Sequence, residues 1–202
     1  REEFGYPPLG DIRQCLVALS PEDDGQVSVL NNALDFRFDS DSSLNGHSVG
    51  NLVLAALTSA YNGIQDAIDE LSRMMQLRGQ VVPVTLDEGH LCARLIDGTT
   101  IRTESAIDLR GNNGPGISEV FLDADVKANP RALDALERAD TILLGPGDLY
   151  TSVIPNLLVK EISDVIRHTK VPVIYACNLM TKLGETAGYG ASAFASEIVR
   201  YI

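Results

Sequence analysis

Residues 139–158 read ADTILLGPGDLYTSVIPNLL, and this stretch decides the fold of the chain. The apolar run before the turn shows no alternation of polar and apolar side chains, which is typical of a strand buried on both faces of a parallel sheet. The run ends at Gly145-Pro146-Gly147-Asp148, where glycine permits backbone conformations that other residues resist. Because open α/β sheets bind ligands at such strand ends, the stretch predicts a ligand site after this strand.

Hydroxyl groups and a helix follow the turn. Tyr150, Thr151 and Ser152 precede Pro155, after which apolar residues recur at helical spacing as far as His168. The first N–H groups of a helix have no partner within it and attract negative charge, so these residues predict a site for an anion such as phosphate. The alternative, which the residues leave open, is a tight turn that binds nothing.

Helical spacing predicts three helices in the first part of the chain, over 11–19, 48–61 and 64–75. The second is apolar nearly all round, which is typical of a buried helix, whereas the third is amphipathic. Asp11 fits an N-cap for the first helix. Residues 21–25 (PEDDG) predict a polar loop after it.

Strand patterns follow at 81–84, 91–95 and 101–107, with Asp97 and Gly98 at a turn between the last two. Strands joined by a short turn pair in the antiparallel sense. This part of the chain therefore predicts a small antiparallel sheet.

The rest of the chain alternates strands and helices. It predicts strands at 117–122 and 171–176, a helix that begins with Asn129 as N-cap and Pro130 in its first turn, and a helix at 191–201. Together with residues 139–158, this order predicts a three-layer α/β/α fold with a mainly parallel, Rossmann-like sheet and a small antiparallel addition.

The 202 residues, 45% of them hydrophobic, can bury one sizeable core, and the length permits one domain or two small ones; we favour a single domain over 1–202. The 16 basic and 28 acidic residues give a net charge of −12, which argues against binding to nucleic acid or to an anionic membrane. The three cysteines are far apart and no apolar run approaches a membrane span. We expect a cytoplasmic protein.

The segment at 46–51 (GHSVGN) is a second candidate for ligand binding. Its small and polar residues open a helix and leave N–H groups for a phosphate, while His47 can donate a ring N–H and Asn51 lies in the first turn. The alternative is that His47 only caps the helix or completes the core.

Polar side chains also follow the strand at 171–176. Asn178, Thr181 and Glu185 lie there, at the same kind of strand end as the glycine turn. Two neighbouring parallel strands that end in polar loops form a crevice, so we expect these residues in the site.

Chemistry beyond binding has weak support in the residues. Ser152 has no convincing histidine and aspartate partners, and the three histidines are scattered along the chain. Asp11 and Asp148 are candidates to hold Mg²⁺ through a ligand phosphate, because this ion takes one or two carboxylates together with phosphates.

Four blocks in order resemble the YvcK proteins, known as gluconeogenesis factors, in the superfamily typified by the phospholactate transferase CofD. They are PLGDIRQCLVAL at 8–19, GHSVGNL at 46–52, LGPGDLYTSVIPNLL at 144–158, and YACNLMT at 175–181 with GET at 184–186. The blocks span nearly the whole chain.

The resemblance implies a cytoplasmic regulatory protein that binds UDP-sugars, linked to growth on gluconeogenic carbon sources and to cell-shape and wall-precursor control. It implies that the block around Asp11 and Arg13 lines the cleft, which makes Arg13 our candidate for a diphosphate contact. The alternative is a CofD-type transferase that moves a phospholactyl group from a nucleotide diphosphate donor to a deazaflavin alcohol with Mg²⁺. A structural module that binds nothing is the third reading. The oligomeric state, a homodimer included, stays open.

The chain departs from the family pattern in one loop, where Lys182-Leu183 replaces Gln-Pro, Ala187 replaces Asp, and Ala193-Phe194 replaces Asp-His. The family also has a strand, a GGGTG turn and an Asp-Asp-Gly segment before the first block, and these do not appear here. We therefore expect a chain truncated at its N-terminus, with part of the nucleotide site in the absent segment.

Overall fold

A computed structural model describes residues 9–21, 25–39, 41, 44–61, 63–111 and 114–202. The chain divides into two compact units, Arg1–Pro83 and Val84–Ile202. Among the described residues, no helix combines the length and the apolar character that a membrane span needs.

Four helices make up the described part of the first unit: α1 (Gly10–Leu19), α2 (Gly25–Asp35), α3 (Val49–Ala60) and α4 (Ile64–Met74). Apolar side chains from all four helices and their flanks form one core because each helix contributes an apolar stripe. Its buried members are Leu9, Leu16, Leu34, Leu54, Ile68, Leu71 and Met75.

The predicted helices of this unit are found, with two corrections. Leu9 is the N-cap residue of α1, so Asp11 is not the cap and lies instead in the first turn, where its charge favours the helix dipole. In α3 the Ser48 hydroxyl caps the Asn51 N–H, yet only Gly50 and Leu54 of the helix are buried. The helix that we expected to be buried all round is therefore buried on one side.

Helix α2 was not predicted from the sequence. It contains two asparagines and begins at a glycine, all residues of weak helix propensity, and it gains its stability by packing against α1 and α3. The predicted polar loop before it falls mainly on residues 22–24, which lie outside the described part of the chain.

Gly50 lies where elements of this unit approach one another closely. A Cβ atom there would lie 2.7 Å from Arg13 Cδ and 2.9 Å from the Leu34 carbonyl oxygen, a backbone atom that moves only with α2. We expect Gly50→Ala to lower the free energy of unfolding by about 1–3 kcal/mol, the range for overpacking a core. Urea unfolding measures this, with Gly10→Ala as control because a Cβ at Gly10 meets nothing within 4 Å. Equal stability of both variants would contradict the close packing.

The second unit contains the antiparallel sheet. Strands β1 (Leu91–Leu95), β2 (Thr100–Arg102) and β3 (Ile117–Leu122) pair in the order β2-β1-β3, with both pairs antiparallel. The predicted strand at 81–84 is wrong, since this part of the chain is irregular and only Thr85 forms an isolated bridge, with Ala128.

The predicted strand at 101–107 is also too long. The chain leaves β2 at Thr103, whose φ of 78° is incompatible with a strand, and continues as the short helix α5 (Glu104–Asp108). The Thr103 hydroxyl accepts a hydrogen bond from the Ala106 N–H at 3.4 Å, so this residue both ends the strand and caps the helix.

Strands β4 (Ile142–Leu144) and β5 (Val173–Tyr175) form a parallel pair, as predicted. The prediction that β4 is buried on both faces is wrong. Leu143 and its register partner Ile174 are 61% and 51% exposed, because they share the open face of the pair.

Helices precede, separate and follow these two strands along the chain. They are α6 (Pro130–Glu137), a π-helical turn (Leu149–Val153), α7 (Ile154–Leu157), α8 (Lys160–His168) and α9 (Ala191–Tyr201). Asn129 caps α6 as predicted. The single helix expected over 155–168 is instead interrupted at Val159, which is extended. The described residues thus have an α/β fold with an antiparallel sheet and a parallel pair.

Candidate ligand site at the end of the parallel pair

The glycine turn after β4 lies beside the end of β5. Gly145 has a φ of 76°, and a Cβ there would lie 3.1 Å from the Ala176 carbonyl oxygen. The Ala176 N–H in turn donates to the Leu144 carbonyl at 2.9 Å. The turn includes a cis peptide bond before Pro146. The turn and the loop that carries Asn178 therefore lie at one edge of the parallel pair.

Asp148 precedes the π-helical turn, and the residues after it point mainly into the protein. Tyr150 is buried, and its hydroxyl lies 2.9 Å from the hydroxyl of Tyr189. Burial is the main cause that raises the pKa of Tyr150, and this hydrogen bond raises it further. Thr151 is also buried and donates to Glu185 Oε1 at 3.3 Å, whereas Ser152 is exposed. These contacts give Tyr150 and Thr151 structural partners.

Lys182 joins three acidic residues into what we term the Lys182 cluster: Asp108, Asp148, Lys182 and Glu185. Its Nζ lies 2.6 Å from Asp148 Oδ2 and 3.0 Å from Glu185 Oε1, and it also donates to Asp108 Oδ1. The exposed fractions of the side chains are 42% for Asp108, 39% for Asp148, 27% for Lys182 and 0% for Glu185. The cluster thus runs from the surface to a buried carboxylate.

The loop that carries Lys182 is held by its backbone. The Lys182 N–H donates to the Thr186 hydroxyl, and the Thr186 N–H donates back to the Lys182 carbonyl, both at 2.9 Å. Gly184 has a φ of 82° and lies against the Arg110 carbonyl oxygen, where no side chain fits. Only glycine allows this approach, which positions Lys182 and Glu185.

The ionisable groups of the cluster influence one another. Burial alone lowers the pKa of Lys182, but hydrogen bonds to Asp108, Asp148 and Glu185 outweigh this and raise it above its ordinary value. Burial raises the pKa of Glu185, an effect that Lys182 partly opposes. Lys182 therefore stays protonated and supports a charged carboxylate that would otherwise be unfavourable inside the protein.

In the first unit, the structure places the candidate residues in different surroundings. Arg13 is buried, pairs with Asp35 and retains an Nε without a partner among the described residues. Asn51 likewise has a buried Oδ1 without a partner in that part of the chain. Asp11 and His47 are exposed. Arg13 thus has a structural role beside Gly50, and its role in ligand binding stays a prediction.

In the second unit, Asp148 and Glu185 belong to the Lys182 cluster, Thr151 contacts it, and other candidates lie near the strand ends. Asp148 contacts Lys182, and Thr151 contacts Glu185. Asn178 has a buried Oδ1 with no partner among the described residues, while Thr181 is exposed. The sequence did not indicate Asp108 or Lys182 as site residues. One signal in the sequence could have pointed to Lys182, namely that it lies in the loop that departs from the family pattern.

The cluster only partly fits the Mg²⁺ that a CofD-type reaction uses. One oxygen each from Asp108, Asp148 and Glu185 lie within 4.8 Å of one another, which suits a shared cation. However, the Lys182 ammonium already contacts all three carboxylates. Asp11, our other candidate ligand, is not in this group.

Comparison with known proteins defines the class to which this fold and site belong. The sequence matches the family described as 2-phospho-L-lactate transferase CofD over residues 1–202, and the chain therefore belongs to this family. Within it, the chain is similar to proteins named gluconeogenesis factor. It is 41% identical over 193 residues to the one from Halalkalibacterium halodurans, an alignment that covers 95% of this chain and 58% of the relative.

Two further comparisons agree. The chain is 40% identical over 187 residues to the gluconeogenesis factor of Listeria monocytogenes, which covers 92% of this chain and 56% of that protein. A crystal structure of a Bacillus halodurans protein, described as a member of the UPF0052 family, matches with a TM-score of 0.91 and 40% identity over 100% of this chain and 63% of that one. The chain spans more than half, but less than two thirds, of each of these relatives.

Proposed function

We propose that the chain binds a nucleotide sugar, of the UDP-sugar type, as a regulatory protein of the gluconeogenesis-factor kind. The observation that carries this proposal is the shared edge of β4 and β5, where the Gly145 turn meets the loop that carries Asn178. Ligands of open α/β sheets bind at this kind of edge. The Asn178 Oδ1 atom, buried and without a partner among the described residues, offers a ligand an acceptor there.

Local charge supports a ligand with both hydroxyl and phosphate groups. Three carboxylates against one ammonium leave the Lys182 cluster with a net charge near −2, which disfavours a bare phosphate beside it. Carboxylates accept hydrogen bonds from sugar hydroxyls, and backbone N–H groups at the turn suit a diphosphate. We place the sugar toward the cluster and the diphosphate toward the Gly145 turn.

A transferase of the CofD type is the second candidate, because the family that matches the whole chain carries that description. Such a reaction relies on positioning and charge neutralisation and needs no covalent nucleophile. Binding is favoured here because the Lys182 ammonium already contacts the three carboxylates that could hold the Mg²⁺ of such a reaction.

Calorimetry of the full-length protein with UDP-N-acetylglucosamine, UDP-glucose, UMP and a deazaflavin alcohol, each with and without MgCl₂, tests the proposal. We expect heat of binding with the UDP-sugars, and we expect Asn178→Ala to weaken it by about 3–10-fold, the scale of one hydrogen bond. Asn32→Ala, on the exposed side of α2, is the matched control. Binding of the deazaflavin alone would favour the transferase, and no binding of any UDP-sugar would refute the proposal.

Several finer features belong to the same proposal. We propose that the two sheets form part of a three-layer, Rossmann-like domain spanning 1–202, that the protein acts in the cytoplasm, and that it influences cell shape through wall precursors. The α/β pattern of the described elements and the match over residues 1–202 support the first of these. A crystal structure with a bound UDP-sugar is the direct test of the first of these.

A further inference from the structure

We propose that the Lys182 ammonium takes the place of a divalent cation among Asp108, Asp148 and Glu185, so that removing the lysine opens a divalent-cation site. This inference concerns the cluster itself and does not depend on the UDP-sugar proposed above. It predicts that the natural chain works with a fixed internal cation where an exchangeable metal ion would otherwise bind.

The spacing of the carboxylates supports this substitution. Their nearest oxygens lie within 4.8 Å of one another. Oxygens that share one Mg²⁺ or Ca²⁺ are separated by at most about twice the metal–oxygen distance, or roughly 4–5 Å. The three side chains are therefore spaced for a common cation, and Lys182 Nζ lies within hydrogen-bond distance of all three.

The ammonium uses all its donors in this position. A lysine has three N–H donors, and here there is one for each of Asp108, Asp148 and Glu185. With these contacts made, Lys182 offsets part of the negative charge of the cluster rather than contacting a ligand. Its function is the one that a bound cation would have.

A second observation indicates that the cluster accepts more positive charge than Lys182 supplies. The side chain of Glu185 is 0% exposed, yet its Oε2 has no hydrogen-bond partner among the described residues. A divalent cation bound by both oxygens of this carboxylate would satisfy that atom. It would also reduce the residual charge, since a charge of +2 replaces +1 against three carboxylates.

The test is the binding of Mn²⁺, followed by calorimetry and by the electron paramagnetic resonance signal of free Mn²⁺. We expect Lys182→Ala to bind Mn²⁺ at least about tenfold more tightly than the natural chain. Lys182→Arg, which keeps a fixed cation, is expected to resemble the natural chain. Lys170→Ala, which removes an exposed lysine of the same unit, controls for net charge. Adding Asp148→Asn to Lys182→Ala is expected to abolish the gain.

The outcomes decide the proposal in either direction. If Lys182→Ala folds and binds Mn²⁺ no better than Lys170→Ala, Lys182 does not occupy a cation position. The proposal would also be overturned if the natural chain bound Mn²⁺ as tightly as Lys182→Ala and lost this binding in Asp148→Asn. Should Lys182→Ala fold only when Mn²⁺ is present, by circular dichroism, the proposal is supported. Failure to fold with or without Mn²⁺ would show that a metal cannot replace the ammonium, and would overturn it too.

Discussion

Lys182→Met is expected to lower the free energy of unfolding by about 2–4 kcal/mol at pH 7.5 in metal-free buffer. The variant leaves the Glu185 carboxylate inside the protein without its cation, and breaking such a pair typically costs about 3–5 kcal/mol. We place the expected loss slightly lower because Asp108 and Asp148 are partly exposed and remain hydrated.

The loss is expected to shrink as the pH falls toward 5. Burial already raises the pKa of Glu185 above 4.5, and without Lys182 it rises further. The folded variant then binds a proton that the unfolded chain does not, so its stability falls as pH rises through the folded-state pKa of Glu185. Lys182 itself stays protonated over this range, because its raised pKa lies far above it, so the change with pH comes from the protonation of Glu185.

Urea unfolding at several pH values between 4.5 and 8 measures this difference. Lys170→Met, at an exposed position, is the matched control and is expected to change stability little. The double variant Lys182→Met/Glu185→Gln is expected to recover part of the loss, since no charge is then left buried. If the free energies of unfolding of Lys182→Met and the natural chain differ by the same amount at every pH, Glu185 is not the group responsible.

Gly184→Ala is expected to lower the free energy of unfolding by a similar amount, about 2–4 kcal/mol. At a φ of 82° an alanine is strained by about 1–2 kcal/mol, and its Cβ would overlap the Arg110 carbonyl oxygen as well. Because that oxygen belongs to the backbone, the loop must move to relieve the overlap. This displacement separates Lys182 and Glu185 from Asp108.

The comparison with Gly188→Ala isolates the steric part. Gly188 has a φ of 79°, but a Cβ there meets nothing within 4 Å, so only the backbone strain of about 1–2 kcal/mol is expected. Thermal and urea unfolding of the two variants give the difference. Equal losses would indicate that Gly184 does not pack against Arg110 in solution.

Much of the local structure follows from sequence patterns that need no long-range information. The parallel pair, the helices α1, α3, α4 and α9, and the Asn129 cap were all predicted, because apolar periodicity and capping residues act over a few positions. The errors lie where packing overrides the pattern. At Thr103 the predicted strand gives way to a helix, and Val159 interrupts the predicted helix over 155–168.

The candidate site shows the same division. The glycine turn and Asn178 were predicted to lie at strand ends, and the pairing of β4 with β5 places them there. The exposure of Leu143 does not follow from the apolar run before the turn, because such a run alone does not show which of its faces another element covers.

The sequence by itself determined the family, the strand and turn at 139–158, and the polar loop after β5. Only the tertiary structure decided that Lys182 gathers Asp108, Asp148 and Glu185. Asp108 and Lys182 are separated by 74 positions, and their contact depends on the approach of Gly184 to Arg110. Contacts over such distances arise from the packing of whole elements, which no local pattern of residues encodes.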